Sequence, residues 1–448
     1  MKRLVIAAVA GLIAVAAPAT AAPQNRVYET ANHRVEVPAN WNGTLLLYSH
    51  GYYPEPPYPL TTMLANREFD TPEWLLRNGF ALAASEFEGR YGYTIEPALR
   101  DQMALLDWFE KNVGKPRRTI ATGSSMGGGI AALLAERNPH RFDGVLAMCS
   151  EFDAQGSWNT ALDITFVVKT LLADGQDIDL VKAKDPQGST QALLDAVTDA
   201  RDDDAGRARI ALAAALGNIP GWYSAHDPQP ADQLNDQADW IYWAYISGMG
   251  PGKGRQDLER RAGGNPSFNI GVDYRRQLGR SSLSDEVRKA YAKAGLNLGE
   301  DLDKLAKAPR IAPDPRAVAY MYRNGVASGR LTVPIVTLHS TRDGGAVSDQ
   351  VRWYGQEIGR PGQMRQLYVE RGGHCAFSAA EELTALKTLL HKLDTGHWPD
   401  TSPAKLNAAA TGYGDTYQNV FSLVTFTDKQ MPAAFTRFTP PQFLRPSH

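Results

Sequence analysis

Apolar residues gather into short continuous runs in the first third of the chain. The runs at 44–49, 80–85, 119–122 and 142–149 read as buried strands, and the alternation at 33–38 reads as an early edge strand. Helical spacing fills the gaps. Thr71-Pro72-Glu73-Trp74 supplies a capping hydroxyl and then proline at the first helical position, and Asn78-Gly79 ends that helix. Ala98, Met103, Leu105, Leu106 and Phe109 repeat at helical intervals across 97–113. Strands alternating with helices predict an α/β fold with a mostly parallel, doubly wound sheet.

The pattern changes after 150. Residues 151–328 are polar and mostly helical, with helices expected at 160–172, 190–200, 205–216 and 284–294. Aromatic residues cluster at 240–245 and are read as the core of this insert rather than as substrate pocket. Asp202, Asp203 and Asp204 read as a solvated loop. Strand signals return at 332–339 and 366–370, followed by a helix over 378–393.

One stretch carries chemistry. Residues 119–130 pass from a buried strand through Gly123-Ser124-Ser125-Met126-Gly127 into an Ala- and Leu-rich helix. Strand, G-x-S-x-G and helix together form a nucleophile elbow. A turn this tight strains the serine backbone, and a side chain at Gly123 or Gly127 would collide with the neighbouring elements. The strain lifts the Ser125 hydroxyl clear of the sheet, where the following helix aims its first N–H groups.

The elbow, with a strand ending in His50-Gly51 two strands before it, resembles the α/β-hydrolase superfamily. That resemblance implies oxyanion-hole N–H groups at Tyr52 and Met126. It implies a catalytic acid at Asp343, in the loop after the 332–339 strand, with Asp349 as a rival at the start of the next helix. It implies a catalytic base at His374, between the last strand and the last helix; His339 and His391 read as structural. The order Ser, Asp, His agrees with the superfamily. The serine-to-acid interval is long for such proteins, which implies an α/β-hydrolase fold with a large inserted helical cap. The expected organisation is a core over 23–150 and 329–398, a cap over 151–328 and a C-terminal extension over 399–448 packed on the core.

Lys2 and Arg3 precede an apolar run, and Ala19-Thr20-Ala21 offers small residues for cleavage. Residues 1–22 therefore read as a signal peptide, and the mature protein as secreted or periplasmic. No stretch approaches the roughly 20 apolar residues of a membrane span. The formal charge of −2 becomes −4 without Lys2 and Arg3, which points to no nucleic-acid partner. Two cysteines in an exported chain favour a disulfide, Cys149–Cys375, since Cys149 ends the strand beside the nucleophile strand, Cys375 follows His374, and both places are expected to face the active site. Some secreted feruloyl esterases and tannases look similar in joining a cysteine after the histidine to the core, although there the partner precedes the serine, a place held here by Ser124. No metal or dinucleotide motif is present, so no cofactor is implied. The leading expectation is a serine hydrolase of small carboxylic esters. The rival is an amidase or prolyl-oligopeptidase-like peptidase, for which Asp239 or Glu151 would anchor a peptide amine. The non-enzymatic rival is a binding protein on a hydrolase scaffold.

Overall fold

A computed structural model describes residues 25–53, 70–89, 91–360 and 362–448. The expected signal peptide, residues 1–22, and the Pro-rich loop after Tyr53 lie outside them. The strands are β1 (Arg26–Glu29), β2 (His33–Val37), β3 (Thr44–Ser49), β4 (Ala81–Ser85), β5 (Arg118–Ser124), β6 (Gly144–Met148), β7 (Ile335–Arg342) and β8 (Met364–Gly372). Three short strands follow in the tail: β9 (Asn419–Ser422), β10 (Thr427–Gln430) and β11 (Phe435–Thr436). The main sheet runs β1-β2-β4-β3-β5-β6-β7-β8-β11. Pairing is parallel from β4 through β8 and antiparallel at both margins.

Helices cover both faces of the sheet. On one lie α2 (Ile95–Asn112) and α3 (Met126–Arg137), packed through Leu106, Phe109 and Ile130. On the other lies α1 (Asp70–Arg77), with Leu75 against the sheet. Burial on both faces explains why β3, β4 and β6 read as unbroken apolar runs rather than as alternation.

Between β6 and β7 come the helices of the insert. These are α4 (Ala154–Leu171), α5 (Pro186–Asp199), α6 (Asp204–Ala215), α7 (Leu234–Trp240) and α8 (Lys253–Ala262), then α9 (Tyr274–Arg280), α10 (Ser284–Ala294), α11 (Leu298–Lys307) and α12 (Pro315–Gly325). A separate apolar core, centred on α4 and α6, holds them together. The chain resumes the sheet with α13 (Asp349–Glu357) and ends its core with α14 (Ala379–Thr395) and α15 (Pro403–Thr411), the last two packed with α1. Among the described residues no helix is long and apolar enough to cross a membrane.

Three local expectations change. The edge of the sheet is β1, not β2, because Arg26 to Glu29 pair antiparallel outside it. Thr71 does not cap α1, which starts one residue earlier; its buried hydroxyl donates to Glu382 Oε2 at 2.8 Å and ties α1 to α14. Asp203 is a helix cap rather than free loop, accepting from the Gly206 N–H at the start of α6.

The tail is knitted into the body. β11 adds to β8, and the last residues return to α4, where Arg445 reaches the buried Asp163 at 2.6 Å and Ser447 bonds Asp153. Parallel pairing of β3, β5, β6, β7 and β8 brings their carboxyl ends to one edge. A ligand crevice in an open α/β sheet forms there.

Candidate active site

Ser125 stands between β5 and α3 with φ 57 and ψ −128, a conformation that non-glycine residues rarely adopt. Its neighbours explain the strain. A Cβ on Gly123 would overlap the Gly127 carbonyl, and one on Gly127 would overlap the Ser49 carbonyl of β3. Only glycine lets strand and helix close this tightly. Met126 is the first residue of α3, so its N–H has no acceptor within the helix. Tyr52 and Met126 both line the cavity that opens over Ser125.

His374 lies in the loop between β8 and α14, 31 residues beyond Asp343 in the loop after β7. The three side chains meet. His374 Nε2 is 2.8 Å from Ser125 Oγ, and His374 Nδ1 is 2.8 and 3.0 Å from the two Asp343 oxygens. The N–H groups of Gly345 and Ala346 donate to Asp343 Oδ1. Burial alone would raise the Asp343 carboxyl; the charge and hydrogen bond of His374 outweigh it and hold the carboxyl below its ordinary range. Burial alone would lower His374, and Asp343 overcomes this to raise it, with a smaller contribution from Glu151. The His374 ring keeps 19% of its side-chain surface open towards the cavity. With Nδ1–H held by Asp343, Nε2 is left as the acceptor facing the serine hydroxyl.

The rivals take structural places. Asp349 is buried at the start of α13, accepts from Asn218, and is pushed by burial up to about 7. His339 is buried with Nε2 2.8 Å from the Ala346 carbonyl, bracing the Asp343 loop. His391 lies on α14 and is not among the residues that line the cavity over Ser125.

Two devices fix the His374 loop. Cys149, directly after β6, is disulfide-bonded to Cys375. The buried Arg371 guanidinium pairs with Glu381 at 2.7 Å and also donates to the Ala376 carbonyl. Glu381 in turn closes a capping box with Ser378 at the start of α14. Among the described residues the only His/Cys/carboxylate cluster close enough for a metal is Cys149, His374 and Cys375. Its sulfurs are joined to each other and its imidazole is held by Asp343 and Ser125, so it offers no free donors.

The cavity is about 870 Å³ and strongly aromatic. Trp240, Trp243 and Tyr245 belong to its wall, although Trp240 and Tyr245 also pack in the insert core. The aromatic cluster expected to be core alone therefore serves both. Residues Ile241–Gly248 form a π-helix continuing α7, a rare geometry that recurs at functional sites. Sequence reading placed Glu151 only as an anchor for a peptide amine. Its carboxyl lines the cavity, accepts from the Tyr93 hydroxyl at 2.9 Å, and is pushed by burial up to about 7. Its position just past β6, at the ligand end of the sheet, was the available signal. Asp239, the other candidate anchor, pairs with Arg201 and takes no part in the lining.

The pH dependence has a definite sign. A base must be neutral to accept a proton, so with His374 in the role expected of it kcat/KM is expected to fall as pH drops through the raised His374 pKa. Glu151→Gln removes the negative charge that the carboxyl carries above about pH 7 and that favours the imidazolium, and the acid limb of the pH–rate profile is expected to move to lower pH. An unmoved limb, or one moved upwards, would show that Glu151 carries no charge acting on His374 where the limb lies.

A family profile described as a putative esterase matches residues 63–203. The chain is 30% identical over 414 residues to an o-phthalyl amidase from Xanthobacter agilis, covering 85% of this chain and 89% of that protein. Among solved structures it resembles feruloyl esterase B from Aspergillus oryzae, with 14% identity, coverage of 84% and 80%, and a TM-score of 0.38. A thermostable carboxyl esterase from Bacillus coagulans is similar at 14% identity, coverage of 78% and 90%, and a TM-score of 0.35.

Proposed function

The chain belongs to the α/β-hydrolase superfamily, as a relative of esterases and amidases, and we propose that it is an exported serine hydrolase cleaving carboxylic esters. The single observation carrying this reading is the hydrogen-bonded chain Ser125–His374–Asp343, of which Ser125 and His374 line the cavity. Ser125 Oγ attacks the substrate carbonyl as His374 Nε2 takes its proton. Asp343 holds the ring tautomer and stabilises the imidazolium. Backbone N–H groups of Tyr52 and Met126 receive the oxyanion, each such donor being worth about 3 kcal/mol. His374 then protonates the leaving group, and water, deprotonated by the same ring, releases the acid and restores Ser125. The disulfide supports export, since such bonds persist in oxidising compartments.

A second reading, amide hydrolysis, is favoured by the relative that is named an amidase. It uses the same steps, with His374 donating to a departing amine. Matched aryl esters and anilides hydrolysed in parallel separate the two. Ester turnover that greatly exceeds anilide turnover at equal acyl group supports the first reading; comparable kcat/KM values support the second. Activity on neither would contradict both.

A further inference from the structure

Large exposed apolar side chains are few among the described residues, and they are not scattered. Of the seven, Trp243 (57% exposed), Leu423 (48%), Val424 (39%) and Phe426 (61%) all border the cavity over Ser125. Single exposed apolar residues need no explanation, whereas a gathering around one opening marks a binding surface. These four come from two segments far apart in sequence. Trp243 sits on the π-helix of the insert, and the others form the tip of the β9–β10 hairpin in the tail.

The hairpin is built to hold its tip in place. At its base Val420 bridges to Ser378, ahead of α14, and its carbonyl lies 2.8 Å from His226 Nε2 of the insert. Lys429 on β10 donates to the His226 carbonyl, and the Ser422 hydroxyl accepts from the N–H groups of Val424 and Thr425 within the turn. Phe426 closes that turn with φ 54, in the left-handed region that glycine or asparagine ordinarily fills. A phenylalanine there accepts backbone strain and, in addition, an apolar ring facing water. Both costs are accounted for if the ring is used.

We propose that the C-terminal hairpin is a substrate-binding element: Phe426, Leu423 and Val424, facing Trp243, form an outer subsite for an aryl group of the substrate remote from the scissile bond. The inference rests on the cavity being the substrate pocket, as above. Three features select an aryl group. The subsite is continuous with the cavity, each of its two segments contributes an aromatic side chain to the lining, and 870 Å³ is far more than a short ester needs. This gives the tail a role in specificity in addition to packing.

The test uses binding, so that it does not depend on turnover. In a Ser125→Ala protein, the dissociation constant of N-[4-(2-naphthyl)butyl]acetamide, whose butyl linker sets the ring apart from the amide, is measured by calorimetry, with N-butylacetamide as the small comparator. Adding Phe426→Ser or Trp243→Ala is expected to weaken naphthyl binding about five- to tenfold, because the naphthyl ring then buries less apolar surface at the rim. Ile270→Ser, at an exposed apolar residue outside the cavity lining, is expected to change nothing. The substituted side chains are exposed, and equal melting temperatures confirm that the variants fold. Unchanged affinity in both rim variants, equal loss in Ile270→Ser, or no naphthyl binding by the parent would each overturn the subsite. Failure of the catalytic reading shows itself elsewhere, in the reactivity of Ser125.

Discussion

Ser125→Ala is expected to lower kcat/KM by about 10⁴-fold or more, and His374→Ala by a similar factor. The two residues act as one unit through a 2.8 Å hydrogen bond, so the double variant should be hardly worse than either single one. Asp343→Asn tests the remaining link. An amide at that position can still meet the ring, but it no longer favours Nδ1–H over Nε2–H, and a loss near 10⁴-fold is expected from the wrong tautomer. Steady-state kinetics on one activated ester checks all four proteins. Additive losses, or a Ser125→Ala enzyme with substantial residual turnover, would mean that the observed proximity is not the catalytic unit.

The second large effect is on stability. Cys149 and Cys375 close a loop with a sequence separation of 226, for which chain-entropy reasoning gives roughly 5 kcal/mol of stabilisation. Cys149→Ser/Cys375→Ser should therefore unfold at clearly lower denaturant concentration than the oxidised wild type, and reductant should shift the wild type alone. Activity should fall as well, because Cys375 directly follows His374, the proposed base. The fall should be partial, since Arg371 still grips the Ala376 carbonyl and Glu381 from the other side of the loop. Unfolding curves with and without reductant decide this; coincident curves for the oxidised wild type and the double variant would contradict a stabilising role.

What was legible in the sequence shared a physical character. Gly123 and Gly127 announce the elbow because a strand, a turn and a helix can close on Ser125 only where no Cβ intervenes. The buried strands are legible because two covered faces demand continuous apolar runs. What was missed depends on partners far along the chain. β1 is Arg-Val-Tyr-Glu and largely exposed, so nothing in its pattern distinguishes it from coil until β2 pairs with it. Thr71 reads as a cap locally, but Glu382, over three hundred residues away, takes its hydroxyl. The stretch 240–245 is apolar enough to be core, and nothing in its pattern sets Trp243, exposed on a π-helix at the cavity, apart from its buried neighbours Trp240 and Tyr245. The hairpin at the rim carries no motif: its tip gains meaning only from where Ser378 and His226 hold its base.

The most direct measurement is reaction of the purified protein with a fluorophosphonate probe, followed by mapping of the modified peptide. The triad predicts a single adduct on Ser125, absent from Ser125→Ala and slowed in His374→Ala. An adduct on another residue, or an unmodified protein under conditions that label known serine hydrolases, would contradict the account.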